Sequence, residues 1–310
     1  MARPARPAEP AAVTRLSRLS GVGTRGLLGW WLVACATPAT PPPRQPTTAT
    51  HSPDADIAVD LTREAEQAWD RRDEASSLAR AIELWQHQSQ ARPQDAEPQL
   101  RLAQALLFRA WAAHVQGQNE DACRKALGEA EAAAQAALDR QSPTIAFDGH
   151  SLGELPPDEV AEGAARALYW LAAVRRARAQ HASYAEALQL MAPVREALRI
   201  AVARVPQEHH GGPHRELGVS LAQPLAFEDR KLDEALEQFE RARGLGPDYL
   251  RNHLDFAAHY AVAAQDSEAF QSALLSVIDA PQTQGPLAAD NALSLQQARA
   301  LRDRASELFE

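Results

Sequence analysis

The chain is poor in sulfur, in lysine and in strand-forming residues. Its 310 residues include two cysteines, Cys35 and Cys123, and no Cys-x-x-Cys pair, which removes the usual thiol-metal and redox motifs. Lysine occurs only at Lys125 and Lys231, so arginine supplies nearly all of the 32 basic side chains. That bias follows base composition rather than a binding surface. β-branched residues are few, and Ala, Leu, Glu, Gln and Arg dominate, a balance that favours helix throughout. No Gly-x-Ser-x-Gly elbow, phosphate loop or His-Glu-x-x-His is present, so the familiar hydrolase, nucleotide and zinc-protease motifs are missing. The carboxylates fall at the spacings of solvated helix faces.

Positive charge is also scarce where it would matter for nucleic acid. The whole chain carries -9, and without residues 1–34, which hold five arginines and one glutamate, the remainder carries -9 - 5 + 1 = -13. An acidic body argues against phosphate-backbone binding, which needs clustered cations. No nucleic-acid partner is expected, and no cofactor.

The first distinctive feature is at the N-terminus. A basic segment is followed by "GLLGWWLVAC", residues 26–35, an apolar run too short to span a bilayer as a mature helix. Its last residues, Leu32, Val33, Ala34 and Cys35, resemble a bacterial lipobox. This predicts a lipoprotein signal peptide over 1–34 and acylation of Cys35, which would hold the protein on a membrane through the lipid alone. A start nearer Val13 would give a signal of ordinary length. Ala36 follows the cysteine, with no aspartate to retain the protein at the inner membrane, so a periplasm-facing, outer-membrane location is expected. Residues 35–56 are rich in Pro, Thr and Ala and read as a tether. The folded domain is expected over 57–310, and Cys123 is expected to be a small helix residue.

From Ile57 onward the apolar spacing is helical, with proline-marked breaks at Pro93, Pro143, Pro206, Pro247 and Pro281. The expected fold is all-α, with roughly ten or eleven helices. The stretch "KLDEALEQFERARGLGPD" places Ala235, Phe239, Ala242 and Pro247 in the Ala-x3-Phe-x2-Ala-x4-Pro pattern of a tetratricopeptide second helix. Ala81, Trp85, Gln88 and Pro93 repeat it with Gln in place of the second Ala. Ala130, Ala134, Ala137 and Pro143 are a degenerate copy. Weaker traces lie around Tyr184, Ala187 and Met191, and at Phe270 and Ala273. The preferred architecture is a tetratricopeptide-like array of helical hairpins, of the kind that presents curved binding surfaces. A plain bundle or two unrelated helical domains are the alternatives.

One stretch invites chemistry: "VPQEHHGGPHRELG", residues 205–218. His209, His210 and His214, with Glu208 or Glu216, have the residue types of a zinc site. Adjacent side chains such as His209 and His210 diverge, however, and a site needs three or four converging ligands. Gly-Gly-Pro before a helix could also cradle phosphate, though it lacks a longer glycine frame. The preferred reading is a helix corner at Gly211, Gly212 and Pro213, in which Pro213 begins the helix. No metal is assigned. His253 and His259, six apart, do not face one site from a single turn. Trp111 and Trp170 read as core residues, although Trp170 follows Tyr169 and is placed to reach a concave surface.

The order of these stretches carries a resemblance. "HHGGPHRELGVSLAQPL" gives Gly-Gly-x-x-Arg-x-x-Gly. It is followed by the tetratricopeptide-like unit, by "YLRNHLDFAAHYAVAAQD", by a Phe-x-x-Leu-Leu helix and by a closing "DNALSLQQARALRDRASELF". Upstream, "GAARALYWLAAVRRARA" carries an aromatic pair. Together they resemble the T-component (TatT) lipoprotein family of TRAP transporters over about residues 60–310. The histidine-rich corner and the loop 142–163 depart from that pattern. The resemblance implies a non-enzymatic periplasmic lipoprotein, similar to homotrimers with a central pore. It also implies association with a periplasmic solute-binding protein, to assist uptake of a small ligand, hydrophobic ones included. It points to Tyr169, Trp170, His214 and Arg215 as a ligand or partner surface, although structural pairing is the plainer role for Arg215. The competing reading is a tetratricopeptide lipoprotein scaffold that binds polypeptide in envelope or pilus assembly. A metal-dependent enzyme built on the histidine cluster is a third.

Overall fold

A computed structural model of the chain describes residues 53–147, 152, 155–223 and 230–309. The signal peptide, the lipobox and nearly all of the tether fall outside these residues. Among them there is no strand, and eleven α-helices have eight residues or more, in agreement with the all-α expectation. In chain order the helical runs, these eleven and one composite, begin with α1 (Pro53–Asp70), α2 (Ala75–Ala91), α3 (Glu97–Val115), α4 (Glu120–Gln141) and α5 (Glu162–Ala179). There follow α6 (Tyr184–Met191), α7 (Val194–Arg204), α8 (Glu208–Ala222) and α9 (Leu232–Leu245). The next helical run, α10, spans 251–264 and widens into a π-helical turn at Phe256–Ala261. Last come α11 (Ser267–Ile278) and α12 (Ala288–Asp303).

Local chemistry accounts for many of the ends. Asn119 caps α4, its side chain accepting from the Asp121 amide at 2.8 Å, with Glu120 and Asp121 in the first turn and Arg140 in the last. This charge order suits the helix dipole. Asp266 caps α11 in the same way, accepting from the Ala269 amide at 2.9 Å. Pro98 begins α3, where its missing N–H costs nothing.

Successive helices pack on one another from α1 to α5, and α7, α8 and α9 continue the sequence. Helix α5 is the hub. Ala164, Ala165 and every residue from Ala167 to Arg176 are buried, so this helix is covered on all sides. Its alanines let α3, α4, α7 and α8 approach closely. A second apolar cluster joins Val219 and Phe239 to α10, α11 and Ala298 of α12. Helix α12 then returns to α3: the Trp111 indole N–H donates to Gln297 Oε1 at 3.1 Å. Arg72, in the turn after α1, pairs with Asp290 of α12. The C-terminal helices therefore close against the N-terminal ones.

The repeat-pattern residues are placed as follows. Ala81, Trp85, Ala235, Phe239 and Ala242 are buried, and Pro247 lies exposed in the turn after α9. Gln88, standing where an alanine would repeat, is buried. Its amide donates to Leu61 O at 3.2 Å and its carbonyl accepts from Thr62 Oγ1 at 3.1 Å, which ties α2 to α1.

Candidate functional site

The centre of the molecule is polar. Five charged side chains on α5, α8 and α10 alternate in sign: Arg176, Glu216, Arg215, Asp255, Arg251. Arg176 Nε pairs with Glu216 Oε2. Glu216 Oε1 lies 3.4 Å from Arg215 Nη2, and Arg215 Nε lies 3.3 Å from Asp255 Oδ2. The same carboxylate oxygen accepts from Arg251 Nε at 3.3 Å. Burial raises the Glu216 pKa, but Arg176, Arg215 and Arg251 prevail and hold it down at about 2. Burial lowers the Arg251 and Arg215 pKa values, and neighbouring acidic groups carry both above the ordinary range. Glu216, Arg215 and Arg251 are therefore ionised at neutral pH. Enclosing so much charge is expensive, and a chain that needed only stability would do as well with apolar residues here.

A series of cavities runs past this chain, neighbours sharing walls. One of about 270 Å³ lies among Arg101, Arg166, Trp170, Glu208, His209 and His210. It shares Gln104, Trp170 and His209 with a constriction of about 20 Å³, roughly one water, walled also by Trp69 and Phe108. The constriction shares Leu107, Trp111 and Arg251 with a chamber of about 320 Å³. Arg176 and Gln180 then lead to a fourth space of about 230 Å³ beside Met191 and Gln223.

The 320 Å³ chamber is lined by apolar Leu107, Ala110, Leu127 and Ala258 and by polar residues that include His114, His181, Arg176, Arg251, Asp255 and His259. The Arg251 guanidinium also stacks on Trp111, 4.3 Å from the ring centroid. The π turn in α10 brings Asp255, Ala258 and His259 to the same chamber, and such turns are frequent at functional sites. His259 Nδ1–H donates to Gln223 Oε1 at 2.9 Å. Burial in the protein interior pushes its pKa down to about 4, so it is neutral at pH 7.

The corner at 205–218 stands beside this site. His209, His210 and Gly211 are consecutive left-handed residues (φ 48°, 60° and 79°). They reverse the chain before Pro213 enters the helical part of α8. Two features hold the reversal. The Asn252 amide donates to His210 O at 2.9 Å, Ala242 O at 2.9 Å and Gly246 O at 3.0 Å. The Tyr249 hydroxyl donates to Asp290 Oδ1 at 3.0 Å, so His209 Nε2–H, 3.1 Å from the Tyr249 hydroxyl oxygen, donates to it. At Gly212 the Tyr169 hydroxyl packs where a Cβ would stand, 2.1 Å from its ideal position.

The sequence-derived surface residues divide. Trp170 lines two of the cavities, its N–H donating to Glu208 Oε1 at 3.1 Å, whereas Tyr169 turns away toward Gly212. His214 donates to Gln238 Oε1 at 2.7 Å, on the α9 side. Arg215, 1% exposed, sits in the middle of the charged chain and also donates to Asn252 Oδ1 at 3.0 Å. Among the described residues no cluster of His, Cys, Asp and Glu is arranged to hold a metal ion. Sequence reasoning passed over Arg176, Arg251, Asp255, His259 and the cavity role of Trp111. The available signal was two arginines at the end of the apolar stretch "ALYWLAAV".

The fold and the site define a class: an all-α protein with a series of partly open, charge-lined cavities and no recognisable catalytic apparatus among the described residues. Residues 77–309 match the family model described as TRAP transporter T-component, and the chain belongs to that family. This is a family of transporter components rather than enzymes. No curated protein matches the chain. No helix among the described residues is long and apolar enough to cross a membrane.

Proposed function

We propose that the chain is a non-enzymatic envelope lipoprotein that receives a small ligand in its chambers, in association with the solute-binding protein of a TRAP system. The observation that carries this reading is the series of wall-sharing cavities, lined by family-matched residues apart from Trp69. Residues 1–34 act as the signal peptide, Cys35 carries the lipid, 35–56 form the tether, and 57–310 form a tetratricopeptide-like helical domain. The lipid holds the domain on the periplasmic face of the outer membrane. A homotrimer would place three sets of chambers side by side. Trp170, at the wall of two cavities, is the surface residue best placed to meet ligand.

The test is co-expression of the full chain with the solute-binding protein of the same system, followed by size-exclusion chromatography with light scattering. The expected result is a trimer that retains the solute-binding protein, and its loss from membranes when Cys35→Ser blocks acylation. A monomer that ignores the solute-binding protein and retains unfolded polypeptide would replace this reading with the scaffold function.

A further inference from the structure

One end of the 320 Å³ chamber carries a thiol with a base beside it. Cys123 of α4, His114 of α3 and His181 in the turn after α5 all line the chamber. Cys123 Sγ lies 3.5 Å from His181 Nε2 and 3.5 Å from Ala110 O. On the other side of the ring, Glu120 Oε1 stands 3.6 Å from His181 Nδ1. The carboxylate favours the proton on Nδ1, which leaves Nε2 as the acceptor facing the thiol. The His114 ring braces the His181 ring edge-on, with 5.7 Å between centroids. A nucleophile, a base in reach of it and a third group that orients the base form the arrangement that activates a side chain for covalent chemistry.

Around the sulfur the packing is apolar: Cys123, 3% exposed, clusters with Ala110, Ala126 and Leu127. This burial, with the Glu120 charge, raises the thiol pKa against the pull of Arg124. The resting group is therefore a thiol that needs a base at the moment of attack. The thiolate formed then is the stronger nucleophile for its high pKa. A second observation points to what would reach it. Arg176, which lines the same chamber, is 7% exposed and gives Nε to Glu216. Its terminal nitrogens donate to no protein group among the described residues, and such donors suit an anionic end. Cys35 is the only other cysteine in the chain, and on the proposed function it is taken by the lipid.

We propose that Cys123 is a covalent modification site for small, acid-bearing disulfides, with His181 as its base. In the exchange the Cys123 S–H gives its proton to His181 Nε2 while the sulfur attacks one sulfur of the disulfide. A new bond to Cys123 Sγ forms, the old S–S bond breaks, and the departing thiolate takes the proton from the imidazole. One disulfide is exchanged for another, so no further oxidant is needed. The adduct would occupy the chamber until a thiol reductant removes it, which makes the cavity's availability redox-dependent. The envelope location of the proposed function supplies the oxidising surroundings in which disulfides persist. The proposal rests on that function for its setting alone.

The test uses the full chain with Cys35→Ser, in which Cys123 is the only thiol, and two probes of opposite charge, dithiodiglycolate and cystamine. Intact mass and released thiol follow the exchange. The expected result is one adduct and one mercaptoacetate per chain, formed at least tenfold faster than the cystamine adduct and reversed by dithiothreitol. A pH profile identifies the base. The charged and titratable groups around the thiol are Glu120 and Arg124 on its own helix, His114 on α3, and Arg176 and His181 on the α5 side. Arg251, Asp255 and His259 face it across the chamber. His181→Asn should slow the reaction at least tenfold at pH 7 and far less at pH 9, because an unassisted thiol gains thiolate about tenfold per pH unit below its pKa. Circular dichroism would verify that the variant is folded. No adduct on a folded chain, equal rates for the two probes, or an unchanged rate at pH 7 in folded His181→Asn overturns the proposal. Each of these results leaves retention of the solute-binding protein, and with it the transport reading, standing. An adduct on a chain that retains no such partner supports the site and removes only the transport reading.

Discussion

At the scale of single residues, the molecule uses small side chains to make room for large ones in its interior. Gly212 is the clearest case, because the Tyr169 hydroxyl and ring occupy the position of its missing Cβ. Gly212→Ala should destabilise the protein by about 1–3 kcal/mol in urea titration, the usual cost of overpacking a filled interior. Combining it with Tyr169→Phe, which removes the nearest atom, should recover part of that loss; an unaltered midpoint in the single variant would show that the ring moves freely. His259 supports a second expectation. Its pKa in the fold is about 4, against about 6.5 in an unfolded chain, with Asp255 and Glu216 pulling upward and Arg176 and Arg251 downward. The unfolded state therefore binds the proton first as pH falls. His259 costs nothing above pH 6.5, and stability is lost from there down to about 4. Glu216, held at about 2, continues the loss from about 4.5 downward. His259→Gln should reduce the slope of the stability profile between pH 6.5 and 4, to which His209, His210, His214 and His253, their pKa values also lowered by burial, still contribute, and leave the more acidic part unchanged.

At the scale of elements, the decisive piece is the corner between α7 and α8. One amide, Asn252, meets three backbone carbonyls: His210 O in the left-handed turn, and Ala242 O and Gly246 O at the end of α9. It binds a strained turn and a helix end to the start of α10. Ala242 O and Gly246 O also accept from the Gly246 and Tyr249 amides, so Asn252→Ala would leave His210 O without this donor and Arg215 Nη1 without its acceptor; a loss of about 1–3 kcal/mol is expected. Asn252→Asp, which turns donors into acceptors, should be worse; hydrogen exchange should show the loss concentrated at 208–213 and 242–252. The elements themselves were readable from the chain because helical spacing and proline breaks are local signals. The Gly-Gly-Pro stretch predicts a turn whose unusual dihedrals come from glycine, whereas two of the three left-handed residues are His209 and His210. The π turn at Phe256–Ala261 was not readable, since nothing in "FAAHYA" departs from α-helical spacing. Its effect, bringing Asp255 and His259 to one chamber, depends on what packs around it. Likewise Trp111 looked like a core residue in sequence, and only α10 laid across it reveals a cavity wall with Arg251 stacked on the ring.

At the scale of the whole molecule, the series of chambers exists because the chain closes on itself. A tetratricopeptide-like reading leads one to expect an array open at both ends, in which each unit touches its neighbours. Here α12 returns to α3 and to the turn after α1, and the contact that fixes it joins residues 218 apart in sequence. No local pattern carries information over that distance, which is why the charged centre stayed hidden while most of its helices were visible. Arg72 Nε donates to Asp290 Oδ2 at 2.9 Å, Arg72 Nη1 donates to Trp69 O at 3.1 Å, and Tyr249 donates to the other Asp290 oxygen. Both side chains of the pair are 4% exposed. Removing one partner of such a pair leaves a bare buried charge and costs about 3–5 kcal/mol, whereas replacing both by apolar groups is often neutral. Asp290→Ala should therefore lower stability by about that amount, and Arg72→Met with Asp290→Leu should restore most of it. If Asp290→Ala proves as mild as an ordinary surface substitution, within about 0.5 kcal/mol, the apolar cluster around α12 closes the array without help from the ion pair.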